Sequence, residues 1–502
     1  MTQQVQLNPK ALDNKRLQID NKNQTQSQQM SGASVQSSIV NTINTIIGAG
    51  MLVLPYAFRT DGIFIGSFIL IFAALTSGFG MYLQGVSSKF LPESTASFFT
   101  VCMITYPHLS VLFDLSIALQ CFGVGISYVV LTGDLMPLVF PFGDDWSDAS
   151  VRNFYILTSC FLTVPLCYLR RLDSLKYTSV LCLIAIAYLV LLVYWFFFVG
   201  LATDFTNIPV EKHGDVSIWK PESVKSIFKT LGIIVLAYTC PNQFSIVGEL
   251  ERPTLGRIYK IVFISMSITT LLFWTVALFG YLTFGNYISG NILLVFDDSL
   301  GVRLGRGLLV LMVLLSYPLM FHPARISFNN IYHWFQISYF SQNGGNGYNK
   351  LNGQESQPLI GTNGSATHLE PEQANVTVIP DSSAQVVEEE TVPLPQTRFI
   401  ILSTIMLISS YLIAYYLKSF EFILSIVGAT GGVMISFVLP GCYGFKLIAT
   451  QDESMQAELI KHSPQEANNF IFRNKTVKFA SLFLAIWGIF TMIVCLWSTI
   501  SE

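Results

Sequence analysis

The sequence predicts an all-α polytopic membrane protein with eleven transmembrane helices. Charged residues make up only 12% of the 502 residues, about half of the roughly 25% usual in a soluble chain. Mean hydropathy is +0.53 and 52% of the chain is hydrophobic. The apolar residues gather into eleven segments, each close to or above the ~20 residues that cross ~30 Å of hydrocarbon. Helices are what satisfy the backbone internally in segments of this length and texture. The same composition excludes an ordinary cytosolic enzyme, a disordered chain and a nucleic-acid binder, whose charge would be high and basic. With 28 Lys and Arg against 31 Asp and Glu, the net charge of −3 offers no general attraction for polyanions.

In chain order, residues 1–35 are polar and rich in Gln and Asn. They are expected to form a disordered tail rather than a cleavable signal peptide, because the apolar run that follows is too long for an h-region. Eight apolar segments occupy 36–58, 62–86, 109–133, 153–170, 177–199, 226–249, 258–284 and 304–328, within a transmembrane region spanning 36–340. A polar insertion at 341–396, with GGNG, NGYN and the acidic run Glu388–Glu390, is expected to be a disordered cytosolic loop. Three more segments, at 398–417, 421–446 and 477–499, fill the region 397–502. The eight cysteines are scattered with no CxxC spacing, so neither a zinc site nor a disulfide framework is expected.

Lys and Arg set the orientation. Placing the N-terminus in the cytosol puts 19 of the 28 on the cytosolic side. The Asn-x-Ser/Thr triplets at Asn23, Asn363, Asn375 and Asn474 then all face the cytosol and should carry no glycan.

Two segments contain interruptions. In the first, Gly48 and Gly50 flank a point where the helix can unwind within Asn41-Thr-Ile-Asn44-Thr-Ile-Ile-Gly48-Ala49-Gly50, because Gly tolerates non-helical dihedrals. In the sixth, Pro241 in Tyr238-Thr-Cys-Pro241-Asn-Gln243 removes a helical hydrogen bond. One kink alone signifies packing. A pair in the first and sixth helices occupies matching positions of two five-helix halves, the pattern of an inverted repeat around a midplane site. Unwound backbone presents N–H groups to a carboxylate and carbonyls to an ammonium or small cation. Neither break carries a charged residue, which suits a zwitterion such as an α-amino acid.

The stretches SIVNTINTIIGAGMLVLPYAF, YTCPNQFSIVGELERPT and LLSYPLMFHPAR together resemble the amino acid/auxin permease superfamily. The likeness is greatest to its sodium-coupled neutral amino acid transporters and vacuolar amino acid transporters. It covers about 35–340 and 397–500. It implies a leucine-transporter-type fold of ten core helices in two inverted halves plus an eleventh. Carried over residue by residue, it implies substrate contacts at Asn44, Ile47, Gly48, Ala49 and Gly50, facing Tyr238, Thr239 and Asn242. It implies a sodium site using Asn44 and the Ser316 hydroxyl, with Ser where the sodium-coupled branch has Thr.

Other intramembrane polar residues are weighed by position. Asp134, Lys229 and Arg325 lie near segment ends, where snorkelling to the interface is expected. Asp114 sits early in the third segment, with hydration and function both open. His322 in FHPAR is a candidate for proton coupling. The fifth segment has no Lys or Arg between Tyr177 and Gly200 to stand in for a bound sodium. Glu249 and Glu251 with Arg252 read as a solvated gate or helix-end ion pair. The Tyr194–Phe198 aromatics read as an interfacial belt.

These readings converge on secondary active transport of small neutral amino acids. The expected partners are the amino acid, Na⁺ or H⁺ as coupling ion, and membrane lipid, with no nucleic acid and no other cofactor. The protein is expected to be a multi-pass monomer with its N-terminus cytosolic, in a vacuolar or lysosomal membrane or the plasma membrane. The loop at 201–224 lacks Cys and a glycosylation triplet, which leans toward an internal membrane. An enzyme is disfavoured by the lack of Walker, G-x-S-x-G or H-E-x-x-H patterns. The alternative kept open is a transporter-like amino acid sensor signalling through the tail or the long loop.

Overall fold

The computed structural model describes residues 32–92, 95–141, 146–169, 178–203, 214–342 and 394–501. Most of the predicted tail, most of the 341–396 loop, and Asn23, Asn363 and Asn375 lie outside those residues.

Helices joined by short connections make up the described parts, apart from one isolated β-bridge between Ala33 and Leu250. Helices α1 (Val35–Ile46) and α2 (Leu54–Asp61) are joined by the 3₁₀ turn Ala49–Val53. Next come α3 (Ile63–Ser87), a short α4 (Phe98–Thr105), α5 (Ser110–Val139), α6 (Asp148–Cys167) and α7 (Thr178–Ala202). Helices α8 (Val224–Ala237) and α9 (Gln243–Gly248) fill the sixth segment. They are followed by α10 (Leu255–Phe284), α11 (Leu300–Gln342) and α12 (Gln396–Tyr416). The next segment runs through α13 (Phe420–Val427), two π-helical turns (Gly428–Gly432 and Met434–Val438) and α14 (Leu439–Leu447). An amphipathic α15 (Glu453–His462) and the final α16 (Lys475–Ile500) complete the chain.

Among the described residues eight helices are long and apolar enough to cross a membrane, and up to nine if the bent pair Val35–Ile46 and Gly50–Asp61 is one span. The sixth segment is divided into pieces of 14 and 6 residues, each too short alone. Helix α6 begins with Asp148, Arg152 and Asn153, which lower its apolar character. Helices α4 and α15 are elements that the apolar pattern does not predict.

Several starts follow from local chemistry. Side-chain oxygens of Ser34, Ser147, Ser223, Thr254, Ser419 and Asn474 accept from backbone N–H groups in the first turns of their helices, satisfying donors that a helix leaves unpaired. Asn474 uses its Oδ1 in this way, 2.8 Å from the Thr476 N.

The segment Phe420–Leu447 is the most enclosed of the eight candidate spans, with 83% of its most apolar window buried against 33–50% for the others. It is enclosed because backbones meet it directly. A Cβ on Gly428 would lie 2.0 Å from the Gly232 carbonyl oxygen of α8, and one on Gly80 of α3 would lie 2.0 Å from the Ser436 carbonyl oxygen. Only the missing Cβ permits such approach.

The interfacial reading of Arg325, Lys229 and Asp134 is corrected. Arg325 is 2% exposed. Its guanidinium donates to the Cys167 carbonyl at 2.9 Å, to Ser403 Oγ at 3.1 Å and to His322 Nδ1 at 2.9 Å, and it sits 4.2 Å from the Phe399 ring centroid. It fastens α6, α11 and α12 together instead of reaching for water. Lys229 is buried too, and Asp134 pairs with Arg152 at 2.7 Å in a largely enclosed position between α5 and α6. The aromatic belt is also only half realised. Trp195 and Phe198 face outward, whereas Phe197 stacks on Phe279 of α10 at 4.3 Å.

Candidate functional site

A cavity of about 970 Å³ ends at the two interrupted helices. Helix α1 stops at Ile47, whose φ of −77° and ψ of 103° are extended, and Gly48 continues in extended backbone at φ −134°. Any residue adopts those angles, so Gly48 is not required for its dihedrals as the sequence suggests. What it contributes is space, since a Cβ there would meet nothing within 4 Å. Opposite, α8 ends at Ala237, and the chain runs unwound through Tyr238, Thr239, Cys240 and Pro241 to Asn242, which starts α9. Gly50 and Ala237 bring the two breaks together, with a Gly50 Cβ 3.5 Å from Ala237.

Of the positions singled out in the sequence, Asn44, Ile47, Gly48, Asn242, Ser316 and His322 line this cavity. Gly50, Tyr238 and Thr239 do not line it. Tyr238 is fully buried with its ring 5.2 Å from Phe273, and Thr239 Oγ1 bonds the Val235 carbonyl and Ser436 Oγ at 2.9 and 3.0 Å. Ala49 opens the 3₁₀ turn between them.

At the breaks the cavity carries neutral polar groups and no charged side chain. Asn44 Oδ1 is buried with no hydrogen-bond partner among the described residues, an acceptor left for a donor or a cation. Ser316 Oγ lies 3.6 Å from Cys182 Sγ across the α7–α11 contact. His322 presents Nδ1 to the Arg325 guanidinium. Arg carries donors only, so Nδ1 is the acceptor and the ring N–H lies at Nε2.

The third wall is α5, where Asp114, weighed in the sequence, faces the cavity together with Ile117, Cys121 and Tyr128, which sequence reasoning missed. Their separations of three, four and seven residues mark one helical stripe, yet apart from Asp114 its members carry little contrast within a largely apolar run. The α4 region, through Phe98, Phe99 and Thr100, is a fourth wall.

The cavity opens toward the end of the bundle where α1 begins, past the exposed Asn41 and Pro92. The other end is closed. Val53, Leu54, Ala57 and Phe58 are completely buried. Above them Arg59 donates to the Ile288 carbonyl at 2.7 Å and pairs with Glu222 at 3.3 Å.

The family described as "Transmembrane amino acid transporter protein" matches residues 31–494. The chain is 35% identical to "Vacuolar amino acid transporter 7" of Saccharomyces cerevisiae, over 93% of this chain and 98% of that protein. It is 33% identical to "Vacuolar amino acid transporter 6" of the same yeast, over 92% and 98%. Among solved structures, that of MhsT in complex with L-phenylalanine superposes with a TM-score of 0.51 at 8% identity, covering 92% of this chain and 98% of that one. That likeness concerns the fold alone. The family and these relatives are transporters, and the bundle, its broken helices and the family match agree: this chain belongs to the transmembrane amino acid transporter family, as a multi-pass membrane protein.

Proposed function

We propose that the protein is a secondary active transporter of small neutral amino acids, working by alternating access around the cavity between the two broken helices. The observation that carries this reading is the cavity itself, which ends at unwound backbone on both helices and has no charged side chain at the breaks. A zwitterion finds donors and acceptors there without a buried countercharge. In this reading the Ile47–Gly50 backbone, Ala49 included, cradles one end of the substrate. The unwound Tyr238–Asn242 segment faces it through its backbone, with Tyr238 and Thr239 anchoring that segment to the core.

The remaining assignments belong to the same proposal. The bundle has eleven spans, ten of them in two inverted halves of five, with the divided α8–α9 segment as the sixth. The N-terminus is cytosolic, so the open end faces the cytosol. The protein acts as a monomer in the vacuolar membrane, as the names of its yeast relatives suggest. Sodium, held by Asn44 Oδ1 and Ser316 Oγ, or a proton relayed through His322, supplies the drive.

Radiolabelled uptake of a neutral amino acid panel into proteoliposomes tests this, with a sodium gradient, a proton gradient or neither. Uptake is expected to require one gradient and to fall about ten-fold or more in Asn44→Ala and Ser316→Ala if the ion is sodium. It is expected to fall in His322→Gln if the ion is the proton. No uptake of any amino acid by folded protein overturns the reading in favour of an amino acid sensor.

A further inference from the structure

We propose that Asp114 forms a second, cation-accepting site near the open end of the cavity, separate from the breaks, which takes a monovalent cationic group: the substrate's ammonium or a sodium ion. Asp114 lines the cavity although the residue as a whole is only 6% exposed. Among the described residues no Lys, Arg or His nitrogen lies within 4.0 Å of its carboxylate. Its contacts are neutral donors: Asn330, whose Nδ2 donates to Oδ1 at a long 3.3 Å, and the Ser327 hydroxyl.

Asn330 adds the second, independent observation. With its amide nitrogen turned to Asp114, its Oδ1 is buried and has no hydrogen-bond partner among the described residues. Ser327, 3% exposed, lines the cavity one helical turn before it. Carboxylate, amide oxygen and hydroxyl are the oxygen donor set that an ammonium or a sodium ion takes. Among the described residues the cavity wall supplies no compensating charge, because the one basic residue lining it is His322, whose Nδ1 is committed to Arg325. A desolvated carboxylate without a countercharge is costly, so a cation arriving from the open end is attracted to Asp114 before it reaches the breaks. Position supports the separation. Asp114 lies in the second turn of α5 and Asn330 well along α11, whereas Ser316 lies about four turns earlier on α11.

This inference rests on the cavity being the transport path, and its test is separable from that reading. Full-length protein in detergent is titrated at fixed ionic strength, held with N-methyl-D-glucamine chloride, with sodium chloride or with L-alaninamide, an ammonium lacking a carboxylate. The melting temperature is followed. One or both probes are expected to raise it in the wild type; the one that does identifies the source. Asp114→Asn is expected to need about ten-fold more of that probe, and Asp114→Glu to retain the response. Should Asp114→Asn not fold, Asn330→Ala carries the test and is expected to weaken the same response.

No shift with either probe in the wild type overturns the proposal. So does a wild-type response in Asp114→Asn, as a carboxyl already neutralised by a proton would give. In the fallback, a wild-type response in Asn330→Ala does the same. L-alanine exchange by the wild type in liposomes is measured in parallel, so a silent transporter with an Asp114-dependent shift leaves this site standing and removes only the transport reading.

Discussion

Replacing Arg325 with alanine is expected to destabilise the folded bundle by about 3 kcal/mol or more. The guanidinium is 2% exposed and bonds three different groups, the Cys167 carbonyl, Ser403 Oγ and His322 Nδ1, while stacking on Phe399. Removing it leaves buried acceptors without donors and opens a void where α6, α11 and α12 meet. Arg325→Lys is expected to recover little, because an ammonium cannot present the planar fork that reaches three acceptors while lying flat on an aromatic ring. Chemical denaturation of the purified protein in micelles measures this. Variants within about 1 kcal/mol of wild type would mean that the contacts are incidental.

The second large effect concerns backbone approach. In Gly428→Ala the new methyl would sit 2.0 Å from the Gly232 carbonyl oxygen and 3.0 Å from Leu236 Cβ. Neither α8 nor the π-helical turn can yield locally, since the neighbouring atoms are main chain held in helices. The expected result is loss of monodisperse protein on size-exclusion chromatography of detergent extracts. Gly232→Ala is milder, with contacts of 3.2 and 3.3 Å to Ser425 and Ala429 backbone, and Gly256→Ala meets nothing within 4 Å and should behave as wild type. A normal profile for Gly428→Ala would contradict the packing described here. The cost follows the close contact and not the helix propensity of glycine, which favours alanine at all three positions.

How much of this was legible beforehand follows from contrast. Apolar runs against polar connections located the helices to within about six residues at each end, except that α11 extends to Gln342 and the first and sixth segments are divided. The breaks were legible because Gly48, Gly50 and Pro241 stand out in helical runs. So was part of the cavity wall, through Asn44, Asn242 and Ser316. The Asp114–Tyr128 stripe was not legible as a unit, because an apolar cavity wall and an apolar lipid face read alike inside a membrane. Arg325 was misread for a related reason. Distance from a segment end places a side chain along the membrane normal but says nothing of rotation about the helix axis, and its partners Ser403 and Phe399 come from a helix beyond the long insertion. The close approach of Gly428 to Gly232 was not legible either, because it is a contact between residues far apart in sequence.

In the proposed function the cavity ending at the breaks is the path an amino acid takes. The most direct measurement is exchange of a labelled neutral amino acid across proteoliposomes by Gly48→Phe, compared with wild type. Gly48 lines the cavity in extended backbone with open space where its Cβ would be, so a phenyl ring enters the cavity without displacing the fold. An unchanged melting temperature and exchange reduced to background are expected. Wild-type exchange by Gly48→Phe would contradict that role for the cavity.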